Sequence, residues 1–267
     1  MIRVILALGA CLAAAAQDAK KDALVIRVAR DGWGDAGAED ITKVLESAGG
    51  ALRARFPGRA LPPIEVSRTD KNPITLFQRG PAGEIRVKLN VEGCHWAQFA
   101  FQFGHELGHV LCGNVEVENP NLWFEETLCE AASLFVLGRM AESWKTAPPY
   151  PNWKDYSDAL AKYRRERMEK AKLPEGATLA GWFREKEVSL RKDPRQRDLN
   201  LAMASQILPL LEEAPEHWEA VAALNAIHGD ASRPFRQYLR DWSQSAAEKH
   251  RPFIRKVAER FGVSIDP

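Results

Sequence analysis

The sequence predicts an α+β chain, and three observations carry that expectation. Residues 84–91 (Glu-Ile-Arg-Val-Lys-Leu-Asn-Val) alternate polar and apolar side chains, the two-residue period of a half-solvated strand. Directly after it, Trp96, Phe99, Phe103, Leu107 and Val110-Leu111 recur at helical spacing. Beyond Pro148, Pro149 and Pro151 the chain reads as helix to its end. Strands therefore mix with helices in the first half, and the second half is all helical.

In chain order, Ala23 to Val28 reads as a strand, broken by Asp31-Gly32-Trp33-Gly34. Residues 39–56 carry Ile41, Val44, Leu45, Ala48 and Leu52 on one helical face, with Gly49-Gly50 weakening the helix. Residues 64–67 and 74–77 read as short strands, and Gly80-Pro81-Ala82-Gly83 as a turn. A helix is expected from about Trp96 to Cys112, stopped by Gly113 in a left-handed conformation. Asn119-Pro120 has the form of an N-cap followed by proline at the first helical position, opening a helix to about Met140. Six further helices are expected over 153–172, 178–191, 198–211, 217–228, 234–247 and 252–261.

The 267 residues suffice for one large domain or two small ones. Charged residues make up 27% and hydrophobic residues 45%, values typical of a chain that folds rather than stays disordered. The formal net charge is +1, with both signs mixed along the sequence, which argues against nucleic acid or an anionic membrane as the main partner. The basic residues of 162–172 are interspersed with Glu166 and Glu169 and read as a solvated helix face.

The N-terminus has the form of an export signal. Met1-Ile2-Arg3 is a short positive start, Val4 to Ala16 is apolar and ends in small residues, and Gln17-Asp18 turns polar. Cleavage after Ala16 is expected, giving an exported, periplasmic or extracellular protein. Leu8-Gly9-Ala10-Cys11 offers the alternative of a lipoprotein anchored through Cys11. The apolar run is too short for a permanent membrane span, and no other segment approaches that length, so no integral membrane segment is expected after cleavage. Cys94, Cys112 and Cys129 remain, which permits one disulfide and one free thiol, or three buried thiols. With no Cys-x-x-Cys in the chain, a cysteine-based zinc site is not expected.

The chemistry concentrates in His105-Glu106-Leu107-Gly108-His109. Residues i and i+4 share a helix face, so both imidazoles can meet one metal ion, and Glu106 beside them can take a proton from a water that such an ion activates. Catalytic Zn2+ usually takes three protein ligands, so a third should come from the following helix. Glu126 and Glu130 share a face of that helix at i and i+4, while Glu125 points about 100° away from Glu126. Glu130 is the sole charge between Thr127 and Leu137, and a buried charge needs a partner or a metal. In the favoured arrangement Glu126 binds the metal and Glu130 accepts a hydrogen bond from the outer nitrogen of a ligand histidine; in the alternative Glu130 binds directly. Glu125 is expected as a solvated carboxylate near the helix dipole. His95 should lie at the start of the motif helix, far from the metal, and His250 on the surface.

His105-Glu106-Leu107-Gly108-His109, followed by Trp123-Phe124-Glu125-Glu126 on a later helix, resembles the gluzincin group of zincin metallopeptidases. Trp123-x-x-Glu126 is similar to the Trp-x-x-Glu of the M1 aminopeptidases, and Glu126-x-x-x-Glu130 to the Glu-x-x-x-Asp of thermolysin-like enzymes. Both alignments make Glu126 the third ligand, beside His105 and His109. The resemblance covers about residues 84 to 140. Sixteen residues separate His109 from Glu126, slightly fewer than in either family. The metzincin continuation and the exopeptidase Gly-x-Met-Glu-Asn signature are both missing from the sequence.

The resemblance implies a zincin-like subdomain over 17–143 following the signal at 1–16, then an α-helical subdomain over 144–267. It implies a zinc-dependent peptidase in which Glu106 is the general base and an extended peptide or protein substrate pairs with the strand at 84–91, taken as an edge strand. It also implies an oxyanion donor from the helical half, with Tyr150, Tyr156, Tyr163, His217 and His228 as candidates. Two alternatives stand beside it: a catalytically silent zincin-like binding protein, and a zinc hydrolase acting on a non-peptide bond. A silent protein would have no chemical need of Glu106.

Overall fold

The computed structural model describes residues 24–116, 118–229 and 232–265. The expected signal segment, including Cys11, lies outside them. Four strands and eight α-helices are described: β1 (Ile26–Val28), α1 (Ala38–Arg53), β2 (Ile64–Arg68), β3 (Ile74–Leu76), β4 (Ile85–Leu89), α2 (Trp96–Leu111), α3 (Leu122–Ser143), α4 (Tyr156–Lys170), α5 (Leu179–Lys192), α6 (Arg197–Glu213), α7 (Phe235–Ser245) and α8 (Arg251–Arg260). The chain is α+β, with all the described strands before residue 90 and helices thereafter. Residues 217–228, expected as α-helix, instead contribute to a 3-10 helix at Pro215–Ala223.

The strands form one mixed sheet in the order β1-β2-β4-β3. β1, β2 and β4 run parallel, and β3 returns antiparallel to β4 with Thr75 opposite Val87. This corrects one expectation: the alternating strand is internal, and β3 is the edge strand beside it. The cause is the turn at Gly80–Gly83. Gly83 takes a positive φ of 83° and the Gly80 N–H donates to the Glu84 carbonyl at 2.9 Å, so residues 74–76 fold back along the flank of β4. Glu84 belongs to that turn rather than to the strand, its carboxylate accepting from the Ala82 N–H at 2.7 Å.

Helix α1 survives its glycine pair because one of the two is needed. A Cβ on Gly49 would lie 2.5 Å from Leu24 Cδ2 and 3.2 Å from Phe103 Cε1, so Gly49 is where α1 closes onto both β1 and α2. Gly50 faces open space. Helix α2 presents Phe99, Phe103 and Leu107, all fully buried, to the core and ends at Gly113, whose φ is +107°.

Helix α3 is apolar on nearly every side and central to the molecule. It packs closely on α2 and also on α4 and α6. One continuous hydrophobic core therefore runs through both halves of the chain, across the expected boundary at residue 143. The start of α3 is two residues later than its sequence signal. Asn119 Oδ1 accepts the Asn121 N–H at 2.9 Å, and Asn121, wholly buried, holds the Arg233 carbonyl at 2.9 Å instead of capping its own helix. Trp123 and Phe124 then insert into an aromatic cluster with Phe183, Phe235 and Phe261, with ring centroids 4.6–5.8 Å apart. Each such ring pair adds about 0.5–1.5 kcal/mol beyond its buried area, so the first turn of α3 is held firmly against the C-terminal helices.

Candidate metal centre

The two histidines of α2 and three glutamates of α3 meet where these helices come closest. Two glycines make the approach possible. A Cβ on Gly108 would stand 3.1 Å from Cys129 Cα, and one on Gly104 would stand 3.1 Å from Ser133 Cα. The α3 backbone thus lies almost in contact with the α2 backbone, and the glutamate carboxylates of α3 reach the imidazoles. Ser133 ties the helices further by donating to the Phe101 carbonyl at 2.7 Å.

His105 Nε2 lies 3.1 Å and His109 Nε2 3.7 Å from the same atom, Glu126 Oε2. Ligands at zinc–nitrogen and zinc–oxygen lengths of about 2.0–2.1 Å in a tetrahedral site would be separated by about 3.3 Å, close to these spacings. The outer nitrogens are backed by the other two carboxylates. His109 Nδ1 donates to Glu125 Oε1 at 2.7 Å, and His105 Nδ1 lies 3.6 Å from Glu130 Oε1. The donor set of two imidazoles and a carboxylate, with acidic groups behind each ring, fits a zinc ion held by His105, His109 and Glu126.

The electrostatics follow from burial against pairing. Burial opposes charge on both histidines, yet the surrounding carboxylates outweigh it. The His105 pKa is raised, chiefly by Glu126 and Glu130, and that of His109 is raised further by Glu125 and Glu126. Burial likewise opposes ionisation of Glu126, but the hydrogen bond from His105 and the nearby His109 ring hold its carboxyl well below the usual range. Glu130 is pushed up by burial, against the pull of His105, Arg167 and Arg197, and its Oε2 is buried without a hydrogen-bond partner.

Glu106 is buried beside the histidine pair, where Thr75 of the edge strand β3 donates to its Oε2 at 2.9 Å. Asn114, just past the α2 stop, donates to the Leu76 carbonyl at 3.1 Å and binds the same strand to the motif helix. The edge strand thus orients the carboxylate proposed as base.

Glu125 departs from expectation: it is 7% exposed rather than solvated. The Trp123-Phe124 anchor rotates the first turn of α3 into the core and places residues of the C-terminal half over Glu125. Its Oε2 accepts from Asn225 Nδ2 at 2.7 Å. His250 also departs. It is 1% exposed, with its Nδ1 3.1 Å from His217 Nδ1 and its Nε2 3.1 Å from Glu219, because the 3-10 helix at Glu248–His250 turns it beneath the segment bearing His217. His95 lies at the start of α2, away from the centre as expected.

The expected oxyanion donors sit in different surroundings, and of them Tyr163 feels the charge of Glu130. Tyr156 accepts from the Ala97 N–H at the first turn of α2, Tyr150 packs on Trp153, Tyr163 on Phe101, and His217 stacks on Phe253. His228 lines a small cleft with Glu118 and Asn119. One cation that pairs with Glu126 was not singled out by the sequence: Arg195, in the loop between α5 and α6, has its Nε 3.3 Å from Glu126 Oε1 and is largely exposed. Two arginines expected on a solvated face are partly buried instead: Arg164 pairs with Glu212 at 2.8 Å, and Arg167 lies over the Phe101 ring. Among the described residues Cys94, Cys112 and Cys129 are all free thiols, and no helix is long and apolar enough to cross a membrane. Comparison of the chain with family models, with curated proteins and with solved structures finds no match in any of the three.

Proposed function

We propose that this chain is an exported zinc-dependent peptidase of the gluzincin type. The observation that carries the reading is the convergence of His105 Nε2 and His109 Nε2 on Glu126 Oε2, with Glu130 and Glu125 behind the opposite nitrogens. That orientation favours Glu126 over Glu130 as third ligand. Support also comes from a mixed sheet whose antiparallel edge strand lies against the motif helix.

Zinc held at this site supplies a Lewis acid that polarises a carbonyl and lowers the pKa of water. The chain's own residues divide the remaining work. Glu106, oriented by Thr75, takes the proton of the attacking water and returns it to the leaving amine. The guanidinium of Arg195, at the exposed side of Glu126, is placed to meet negative charge developing on the substrate carbonyl oxygen. The unpaired flank of β3 takes the role first expected of residues 84–91, pairing with an extended peptide. A silent binding protein has no use for a base held by a buried hydrogen bond, so catalysis is the favoured reading.

The test is metal content and peptide cleavage in the wild type, Glu106→Gln, Glu126→Gln and Glu130→Gln. Zinc retained and cleavage lost in Glu106→Gln is expected, as is zinc lost in Glu126→Gln. Full activity in Glu106→Gln refutes the mechanism, and zinc lost in Glu130→Gln but not in Glu126→Gln reverses the ligand choice.

A further inference from the structure

Glu125 is one member of a hydrogen-bonded series that links the motif helix to the C-terminal half. Its Oε1 accepts from His109 Nδ1 and its Oε2 from Asn225 Nδ2, each at 2.7 Å. Asn225 is engaged on its other side, where its Oδ1 accepts from the Tyr238 hydroxyl at 2.8 Å. Its amide nitrogen also lies 3.2 Å from the Cys112 carbonyl at the end of the motif helix. Tyr238, on α7, is fully buried. Four side chains thus connect in sequence, one from the motif helix, one from α3 and two from the C-terminal half.

Chemistry dictates the direction of each bond. A carboxylate only accepts, so Asn225 must turn its NH2 to Glu125 and leave its oxygen for the tyrosine hydroxyl, which donates. In a low-dielectric interior such bonds polarise one another and fix orientation. A Glu125 free to rotate would leave the His109 ring free to turn its Nε2 away from Glu126. A fixed Glu125 keeps Nε2 aimed inward.

We propose that Asn225 and Tyr238 are positioning residues for the metal centre, acting through Glu125 on His109. The docking of the C-terminal segment and the binding of metal are then coupled, each strengthening the other by the same factor. The inference rests on the metallopeptidase reading. It goes beyond that reading by making zinc affinity depend on residues more than a hundred positions from the motif.

The experiment uses the full chain with zinc alone, measured by competition against a chromophoric chelator, together with thermal unfolding of the metal-free protein. Glu125→Gln should weaken zinc about ten- to a hundredfold, the usual cost of losing a group that orients a ligand histidine. Tyr238→Phe removes a single hydroxyl and should weaken zinc about three- to tenfold, with the zinc-induced rise in Tm reduced to match. The double variant Glu125→Gln/Tyr238→Phe should bind zinc no more weakly than Glu125→Gln alone, because the hydroxyl acts through the carboxylate. Should Tyr238→Phe not fold, Asn225→Ala tests the same connection and is expected to weaken zinc at least as much. Unchanged zinc affinity in a folded Tyr238→Phe or Asn225→Ala, even with a lowered metal-free Tm, or additive losses in the double variant, overturns the inference and leaves the peptidase reading standing. A wild type that binds no zinc overturns both.

Discussion

Replacing Gly108 by alanine should uncouple stability from metal affinity. The added Cβ would sit 2.9 Å from Cys129 Sγ, 3.1 Å from its Cα and 3.2 Å from its Cβ. Carbon atoms settle at about 3.5–4.0 Å, so α2 and α3 must separate by roughly 0.5 Å. Overpacking of this size costs about 1–3 kcal/mol, and the gain in helix propensity from glycine to alanine returns about 1 kcal/mol. The net loss is about 0–2 kcal/mol, measurable by denaturant unfolding of the metal-free protein. The centre should suffer more. Glu126 and Glu130 flank Cys129 on the displaced helix, and a metal site tolerates about 0.2 Å of error in its ligand distances. Zinc affinity should therefore fall at least tenfold by chelator competition. Gly50→Ala is the matching control: its Cβ meets open space, so it should stabilise by about 1 kcal/mol and leave zinc affinity unchanged. Zinc affinity within twofold of wild type in Gly108→Ala would refute the idea that close glycine packing sets the ligand geometry.

Thr75→Val removes the hydroxyl that holds Glu106 and keeps the shape, so zinc binding should persist while kcat falls about tenfold or more, the worth of a hydrogen bond to a charged group at about 1.5–3 kcal/mol. Equal kcat in the two proteins would remove Thr75 from the mechanism. Burial, and then the neighbouring His250, hold the His217 pKa below its ordinary value. The unfolded chain therefore binds more protons there, and stability should decline as pH falls below about 6.5; His217→Gln should show a shallower decline between pH 7 and pH 5, and an unchanged slope would exclude His217 as the cause. Exposed Cys94 should react with a thiol reagent in the native protein, whereas Cys112 and Cys129, both buried and the latter with its pKa pushed well up by burial and Cys112, should react only on unfolding. Native labelling of all three by mass spectrometry would contradict the packing of α3 on α2.

Most elements are legible in the sequence because their signals are local. The period of residues 84–91, the stripe from Trp96 to Leu111 and the left-handed stop at Gly113 each depend on neighbours within a few positions, and each element forms within two or three residues of its expected ends. The start of α3 is misread because Asn119-Pro120 is a good cap in isolation, while the competing pull, Asn121 on the Arg233 carbonyl, comes from a distant part of the chain. Gly49 weakens α1 by propensity alone, and only the closeness of Leu24 and Phe103 shows why no larger residue fits.

The candidate centre divides along the same line. That His105 and His109 share a face, that Glu106 stands beside them and that Glu126 and Glu130 share another face follows from helical periodicity, which any helix of this sequence would obey. Sequence alone therefore determines the inventory of candidate ligands and the candidate base. It does not determine which carboxylate meets which nitrogen, that β3 rather than β4 is the edge, or that Glu125 and His250 are buried. Nor does it connect Asn225, Tyr238 and Arg195 to the centre. Those features arise from helix-to-helix distance, strand order and the seating of Trp123 and Phe124 among aromatic rings drawn from residues 183–261. Burial and partner choice are properties of the packed whole, set by contacts between segments that are far apart along the chain, so only the tertiary structure decides them.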